Sequence, residues 1–294
     1  MPGVYSSPIA HAGSQGRRTR GTSVDVMAKY DALLARLASL ESVLVAYSGG
    51  VDSTLLAVAA HAVLGDRALA VLAVSDVAPS GEIVAARELA RELGLTLLEI
   101  ETSELVDPAF RENTSDRCYH CKTELFDLLV RIARARGLDY VADGSNVDDL
   151  DDHRPGRRAG LENGVISPLQ DAGLTKHDIR ELARTLGLSN WDKPSMACLA
   201  SRIPFGTPIT EERLAAVASA EERLRDLGLV QVRVRAHGDV ARVEVDPKEL
   251  ERAWTLRTRM SEEVRAAGFP FVSLDLDGYR TGSMNPSVPM QPDA

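Results

Sequence analysis

Residues 44–56 read Leu44-Val45-Ala46-Tyr47-Ser48-Gly49-Gly50-Val51-Asp52-Ser53-Thr54-Leu55-Leu56. An apolar run passes straight into a Ser-Gly-Gly-X-Asp-Ser turn and out into a helical pattern, the layout of a strand, an anion-holding loop and a helix N-terminus. Gly49 and Gly50 remove the Cβ atoms that would keep an anion off the backbone, and they allow positive φ. Ser48 and Ser53 add hydroxyls beside the unpaired N–H groups of the first helical turn. Successive main-chain N–H groups there form a nest suited to pyrophosphate. No Gly-Lys-Ser/Thr follows, so this is not a Walker loop, and the lysine that reaches the terminal phosphates in that motif is missing.

Outward from this loop, β-branched apolar runs alternate with helical patterns, the sign of βα units and a parallel sheet. The pattern predicts strands at 42–47, 68–75, 96–101, 140–143 and 165–167, with helices at 53–63, 80–93, 121–135 and 175–186. Each helix closes near a glycine: Gly65, Gly94, Gly137 or Gly187. The expected fold is α/β, a doubly wound parallel sheet with a small C-terminal α+β domain. In such sheets ligands sit beyond the carboxyl ends of the strands, so Ser48, Ser75 and Gly144-Ser145-Asn146 are expected to line one crevice.

After Arg202 the pattern changes. Pro204, Gly206 and Pro208 form a stiff connector, a helix runs from Thr210 to about Leu227, and runs 230–235 and 240–245 alternate with period two around His237-Gly238-Asp239, a hairpin signal. Asp246-Pro247-Lys248-Glu249 opens a further helix that stops at Gly268, and 271–276 is a last strand. The expected domains are residues 24–203 and 204–285, flanked by a disordered arm at 1–23 and a disordered tail at 286–294.

The 294 residues, 44% of them hydrophobic, suffice for two cores. A net charge of -9 repels polyanions, so nucleic acid is not an expected partner. The chain has no apolar run long enough for a membrane span and no apolar leader, and the expected location is cytoplasmic.

Asp143-Gly144-Ser145-Asn146-Val147-Asp148-Asp149 places a glycine and carboxylates at a strand end. Glycine lets a flat base approach the backbone and carboxylates hold magnesium; a solvated acidic loop has the same composition. Arg154-Pro155-Gly156-Arg157-Arg158 is a basic turn that either clamps a phosphate or offsets the acids before it. In the second domain Arg233 and Arg235 share one strand face, with Glu244 on the partner strand. That face suits a phosphate or carboxylate ligand, or is an exposed edge with cross-strand ion pairs. Gly278-Tyr279-Arg280-Thr281-Gly282-Ser283-Met284-Asn285 reads as a phosphate loop or a plain turn.

The three cysteines suit a reducing compartment. Cys118 and Cys121 form a Cys-X-X-Cys pair, and Cys198 lies in Lys193-Pro194-Ser195-Met196-Ala197-Cys198-Leu199-Ala200-Ser201-Arg202. Three thiolates can hold a [4Fe-4S] cluster and leave one iron open for sulfide. A zinc site completed by His120 or His153, or three free thiols, fits the same residues. Lys193 and Arg202 flank Cys198 with positive charge, which favours a thiolate nucleophile toward an activated acyl group.

The loop resembles the signature of the PP-loop ATP pyrophosphatases. Together, Ser48–Ser53, Asp143–Asp149, Arg154–Arg158, Pro194–Arg202 and Tyr279–Asn285 resemble the LarE-type ATP-dependent sulfur transferases of that superfamily, from about Tyr30 to Asn285. The resemblance implies that Mg-ATP adenylates a carboxylate of pyridinium-3,5-biscarboxylic acid mononucleotide, pyrophosphate leaves, and sulfur replaces oxygen on the way to the nickel-pincer nucleotide of lactate racemase. It implies ATP contacts at Ala46, Ser48, Gly49, Gly50, Asp52, Ser53, Ser75 and Gly144. It also implies a sulfur-bearing Cys198 and charged substrate contacts at Arg202, Arg233, Arg235, Glu244 and Arg280. Members with three cysteines carry a [4Fe-4S] cluster, which would place Cys118, Cys121 and Cys198 as its ligands; members with one sacrifice it. The resemblance further implies a sulfide donor and a homo-oligomer, a hexamer. A tRNA-thiolating relative, an ATP-dependent amide synthase and a non-enzymatic metal-binding regulator share parts of the pattern. With 4% aromatic residues and a negative charge, the chain suits RNA poorly.

Overall fold

The computed structural model describes residues 24–150, 155–194, 197–280 and 283–284. The expected arm and tail lie outside the described residues, as do His153, Arg154, Ser195, Met196, Thr281, Gly282 and Asn285. The chain forms two compact units. One comprises Ser80–Thr102 and the described parts of Met1–Ser75 and Cys118–Met196; the other comprises Asp76–Pro79, Ser103–Arg117 and the described part of Ala197–Ala294.

The first unit runs α1 (Val24–Ala38), β1 (Val43–Tyr47), α2 (Val51–Leu64), β2 (Ala68–Ser75), α3 (Ser80–Glu92) and β3 (Leu97–Thr102). Between them in sequence order, α4 (Pro108–Arg111) belongs to the second unit. The first unit resumes with α5 (Arg117–Ala135), whose first residue groups with the second unit, then β4 (Tyr140–Ala142), α6 (Pro155–Glu162), α7 (Pro168–Asp171) and α8 (Lys176–Thr185). The sheet has the order β3-β2-β1-β4, all parallel. Period-two alternation divides β1 between two cores. Val43, Val45 and Tyr47 face a core with Leu33, Leu37, Leu56, Ile179 and Leu182; Leu44 faces one with Phe126, Leu129, Val141 and Ala159. Helices thus cover both faces, as a doubly wound sheet requires.

The α2 helix has Leu55, Leu56, Val58, Ala59 and Ala60 all buried, so it shows no polar stripe. The α8 helix starts on a capping box: Thr175 Oγ1 accepts from Asp178 N at 3.2 Å, and Asp178 Oδ2 accepts from Thr175 N at 3.1 Å. Asp178 also takes Lys29 Nζ at 2.8 Å. Burial pushes its carboxyl upward, but the Lys29 and Thr175 bonds outweigh this and hold it below the usual range. Thr175→Ala is expected to destabilise the fold by about 1 kcal/mol in urea unfolding, with Thr175→Ser close to wild type.

Three local expectations are corrected. The strand expected at 165–167 is a single parallel bridge between Ala142 and Ile166, because Pro168 ends pairing and opens α7. The basic turn before Arg158 is the start of α6, with Pro155 in the first turn that its fixed φ suits. A helix not anticipated, α1, precedes β1, with only Val26, Leu33 and Leu37 as its buried stripe.

The second unit contains α4, α9 (Glu211–Asp226), β5 (Val232–His237), β6 (Val240–Val245), α10 (Leu250–Ala266) and β7 (Phe271–Leu274). The β5–β6 hairpin turns on Gly238 (φ 61°), and β7 lies parallel to β6, giving the order β5-β6-β7. The helix–strand–strand–helix–strand order matches the sequence pattern. The β5 strand begins two residues later than its apolar run because the Glu249 carboxylate takes the Val230 and Gln231 N–H groups, at 3.1 and 3.3 Å. Among the described residues no helix is long and apolar enough to cross a membrane.

Candidate active site

The loop closes the carboxyl end of β1. Gly49 has φ 71°, and a Cβ there would stand 2.5 Å from Ala86 Cβ and 2.8 Å from Ala86 Cα. Ala86 is held in place because the Tyr47 hydroxyl donates to its carbonyl at 3.0 Å; burial pushes that phenol up to about 12, so it stays a donor. Gly50 caps α2 without a side chain, which leaves the first N–H groups of the helix pointing into the loop. Ser48 Oγ and Ser53 Oγ lie 3.1 Å apart, Ser48 N donates to Ser53 Oγ at 3.1 Å, and Ser53 Oγ donates to Gly50 O at 3.1 Å. The two hydroxyls therefore line the same cradle as the amides.

Beside the cradle, Gly144 follows β4 with its bare face against the α2 N-terminus: a Cβ would sit 3.0 Å from Ser53 N. Ser75 ends β2 three residues beyond the partner of Tyr47, and Ala46 is half-buried one residue before it. Asp143 is committed to its own loop, accepting from Ser145 Oγ at 2.7 Å and from Ser167 Oγ at 2.7 Å. Asp52 is different. Its carboxylate pairs with Lys176 and receives Asn146 Nδ2 at 3.4 Å. Lys176 is a charged neighbour that sequence reading did not pick out, since only the α8 cap brings its side chain to Asp52. Asn190 and Lys193 also reach the loop, both to Gly49 O, at 3.1 and 3.4 Å.

Cys118 and Cys121 fall one helical turn apart at the start of α5, because that helix begins earlier than the apolar pattern predicted. Cys118 is exposed and Cys121 half-exposed, with no disulfide. Behind them Arg158 stacks on the Tyr119 ring at 3.9 Å, and the Tyr119 hydroxyl donates to Glu162 at 2.6 Å, tying α6 to α5.

In the second unit Cys198 precedes a one-turn 3-10 helix, Leu199–Arg202. Arg202 is fully buried, and its guanidinium forms a two-bond pair with Glu221 at 2.8 and 3.1 Å while donating to the carbonyls of Ala197 and Cys198 at 2.5 and 3.0 Å. Burial raises the Glu221 carboxyl, yet Arg202, Arg233 and the Val234 N–H more than offset this and hold it below the usual carboxylate range. The β5 strand is buried on both faces, so the paired-arginine face is not an exposed edge. Arg235 donates to Glu244 at 2.8 and 3.0 Å and to Ser201 O at 3.2 Å; Glu244 also accepts from Ser283 Oγ at 2.7 Å and Arg242 at 3.0 Å. Arg233 stacks on Tyr279 at 5.3 Å, and burial and then the Arg202 charge lower its pKa. Arg280 meets Asp277 at 3.0 Å and is 43% exposed along its side chain. Cys198, Arg202, Arg235 and Glu244 are thus joined through one polar network. Arg242, Ser283 and Glu221 belong to it, and no spacing signal in the sequence marks them. Among the described residues no three His, Cys, Asp or Glu side chains are grouped to hold a metal ion.

A parallel sheet carrying a glycine-serine anion cradle at the carboxyl end of β1 defines an ATP-using enzyme of the PP-loop type. The NAD synthase family profile matches residues 30–137. The chain is 43% identical over 249 residues to an uncharacterized protein of Synechocystis sp., covering 84% of this chain and 92% of that one. It is 40% identical over 257 residues to the pyridinium-3,5-bisthiocarboxylic acid mononucleotide synthase of Lactiplantibacillus plantarum, covering 87% and 93%. A glutamine-hydrolyzing GMP synthase of Pyrobaculum aerophilum is 25% identical, covering 98% of this chain and 65% of that one. The chain belongs to the LarE-type family of ATP-dependent sulfur transferases.

Proposed function

We propose that the chain replaces oxygen by sulfur in a carboxylate of pyridinium-3,5-biscarboxylic acid mononucleotide at the expense of ATP, on the way to a nickel-pincer nucleotide such as that of lactate racemase. The observation that carries this reading is the 40% identity, along 93% of its length, to a protein named as the synthase of the bisthiocarboxylic acid mononucleotide. The N–H groups and hydroxyls of 48–53 bind the leaving pyrophosphate. There they stabilise the charge that develops as the substrate carboxylate attacks the α-phosphorus. The O–P bond so formed makes an acyl-adenylate; sulfur then attacks the acyl carbon and AMP leaves with the oxygen.

Magnesium would be held by Asp52, the carboxylate beside the cradle, in exchange for its Lys176 partner, and would offset phosphate charge there. In the second unit Arg233, Arg235 and Arg280 supply charge for the phosphate and carboxylates of the nucleotide. Glu244 orients Arg235, and Arg202 positions the backbone at Cys198. By donor chemistry, the soft thiols of Cys118, Cys121 and Cys198 are the ones that would hold a [4Fe-4S] group. Its chemistry would be a site for sulfide from a separate donor. The further parts of the reading are domains at 24–203 and 204–285, a cytoplasmic homo-oligomer, a hexamer, and no nucleic-acid partner.

Anaerobic incubation with Mg-ATP, the mononucleotide and sulfide is expected to release pyrophosphate and yield a product heavier by the difference between sulfur and oxygen. Pyrophosphate without thiocarboxylate would overturn it in favour of amide synthesis. Cys198→Ala is expected to keep pyrophosphate release within about threefold and lose sulfur transfer by about 100-fold or more, since adenylation precedes the sulfur step. Loss of both activities in the folded variant would refute that order.

A further inference from the structure

The cradle includes the peptides of two successive glycines, Gly49 and Gly50. Neither residue has a Cβ to restrict it, and a half-turn of the peptide between them would exchange the Gly50 N–H for the Gly49 carbonyl. An oxygen facing the cradle repels phosphate. The orientation of this one peptide therefore governs whether the loop accepts an anion.

Asn190 holds it from behind. Its Nδ2 donates to Gly49 O at 3.1 Å and to Thr54 Oγ1 at 3.0 Å, and the residue is 7% exposed. Gly49 O can only accept, which fixes the amide end that faces it. The other end, Oδ1, is buried with no partner among the described residues, a destabilising arrangement. The side chain thus costs stability at one end and directs the loop at the other. Lys193 Nζ also reaches Gly49 O, at 3.4 Å, but pairs more closely with Glu82 at 2.7 Å. We infer that Asn190 is a positioning residue for nucleotide binding, keeping the Gly49 carbonyl turned out of the cradle so that the Gly50 N–H, which donates to Ser48 Oγ at 3.4 Å, stays on the side of the cradle hydroxyls. It does not touch the reacting atoms.

This rests on reading the cradle as the pyrophosphate site, and the test separates the two claims. Pyrophosphate release is measured against ATP concentration for wild type, Asn190→Leu, Asn190→Asp and Thr54→Val. If wild type releases no pyrophosphate, the function proposed above fails. Asn190→Leu is expected to raise the KM for ATP by about tenfold or more, with kcat within about threefold. Asn190→Asp, which sets a carboxylate against the Gly49 carbonyl, is expected to raise it further. Thr54→Val removes the other bond of the amide and the Thr54 contact to the Tyr47 hydroxyl, while Tyr47 keeps its bond to Ala86 O, and is expected to leave KM unchanged. An unchanged KM in Asn190→Leu, or an equal rise in Thr54→Val, overturns the inference. If Asn190→Leu does not fold, Asn190→Ser decides by the same two criteria.

Discussion

Gly49→Ala is expected to cut ATP-dependent pyrophosphate release by about 100-fold or more while the protein stays folded. Two separate penalties act at this position. An alanine in the left-handed region costs about 1–2 kcal/mol. Its Cβ would also stand 2.5 Å from Ala86 Cβ and 2.8 Å from Ala86 Cα, closer than real Cβ atoms approach. The second cannot be relieved by a rotamer, because the obstacle is the backbone of α3, anchored by the Tyr47 hydroxyl. The loop must move instead, and a shift near 1 Å in a positioning loop costs about 100-fold in rate. Gly65→Ala is the control. It has φ 58° but open space where its Cβ would lie, so it is expected to lose stability and keep its rate. Equal rates for Gly49→Ala and wild type would show that the loop does not hold the reacting phosphates.

Arg202→Met should be the most destabilising single change in the second unit. It strands the Glu221 carboxylate, itself fully buried, with Arg225 at 2.8 Å, the Val234 N–H at 3.1 Å and the nearby Arg233 charge left to hold it. Breaking a buried pair from one side costs about 3–5 kcal/mol, more than a matched apolar replacement of both partners would. The pH dependence gives a second reading. The Glu221 carboxyl titrates below its unfolded value, so in wild type it stabilises the fold above that value, and the contribution fades as pH falls through the folded value. In Arg202→Met the same carboxyl loses its main partner and is protonated more readily. The Tm difference between wild type and variant is therefore expected to be large at pH 8 and to shrink toward pH 5. A difference independent of pH would mean that Glu221 is not charged in the pair. Sulfur transfer is expected to fall as well, since Arg202 also carries the carbonyls of Ala197 and Cys198.

The legible features were those with a local cause. Strand-to-loop-to-helix around Ser48–Ser53 is written in successive residues, as are the hairpin at Gly238 and the cap at Thr210. Where a local signal competed with a neighbour the reading slipped. Pro168 reduced the expected fifth strand to a bridge, and the Glu249 carboxylate delayed β5. The polarity of Arg233 and Arg235 left open a ligand-binding face or a solvent-facing edge. Burial came instead from α9 packing on β5 and from Glu221 and Glu244 neutralising the charge, neither of which period-two spacing encodes.

By itself the sequence determined the class of fold and the glycine-serine loop after β1, because each depends on backbone freedom and side-chain type within a few residues. Only the tertiary structure decided which charges meet. Lys176 on Asp52, Asn190 behind Gly49 and Glu221 on Arg202 join residues far apart in the chain, and such pairs form only where the packing of helices on a sheet brings them within hydrogen-bond distance.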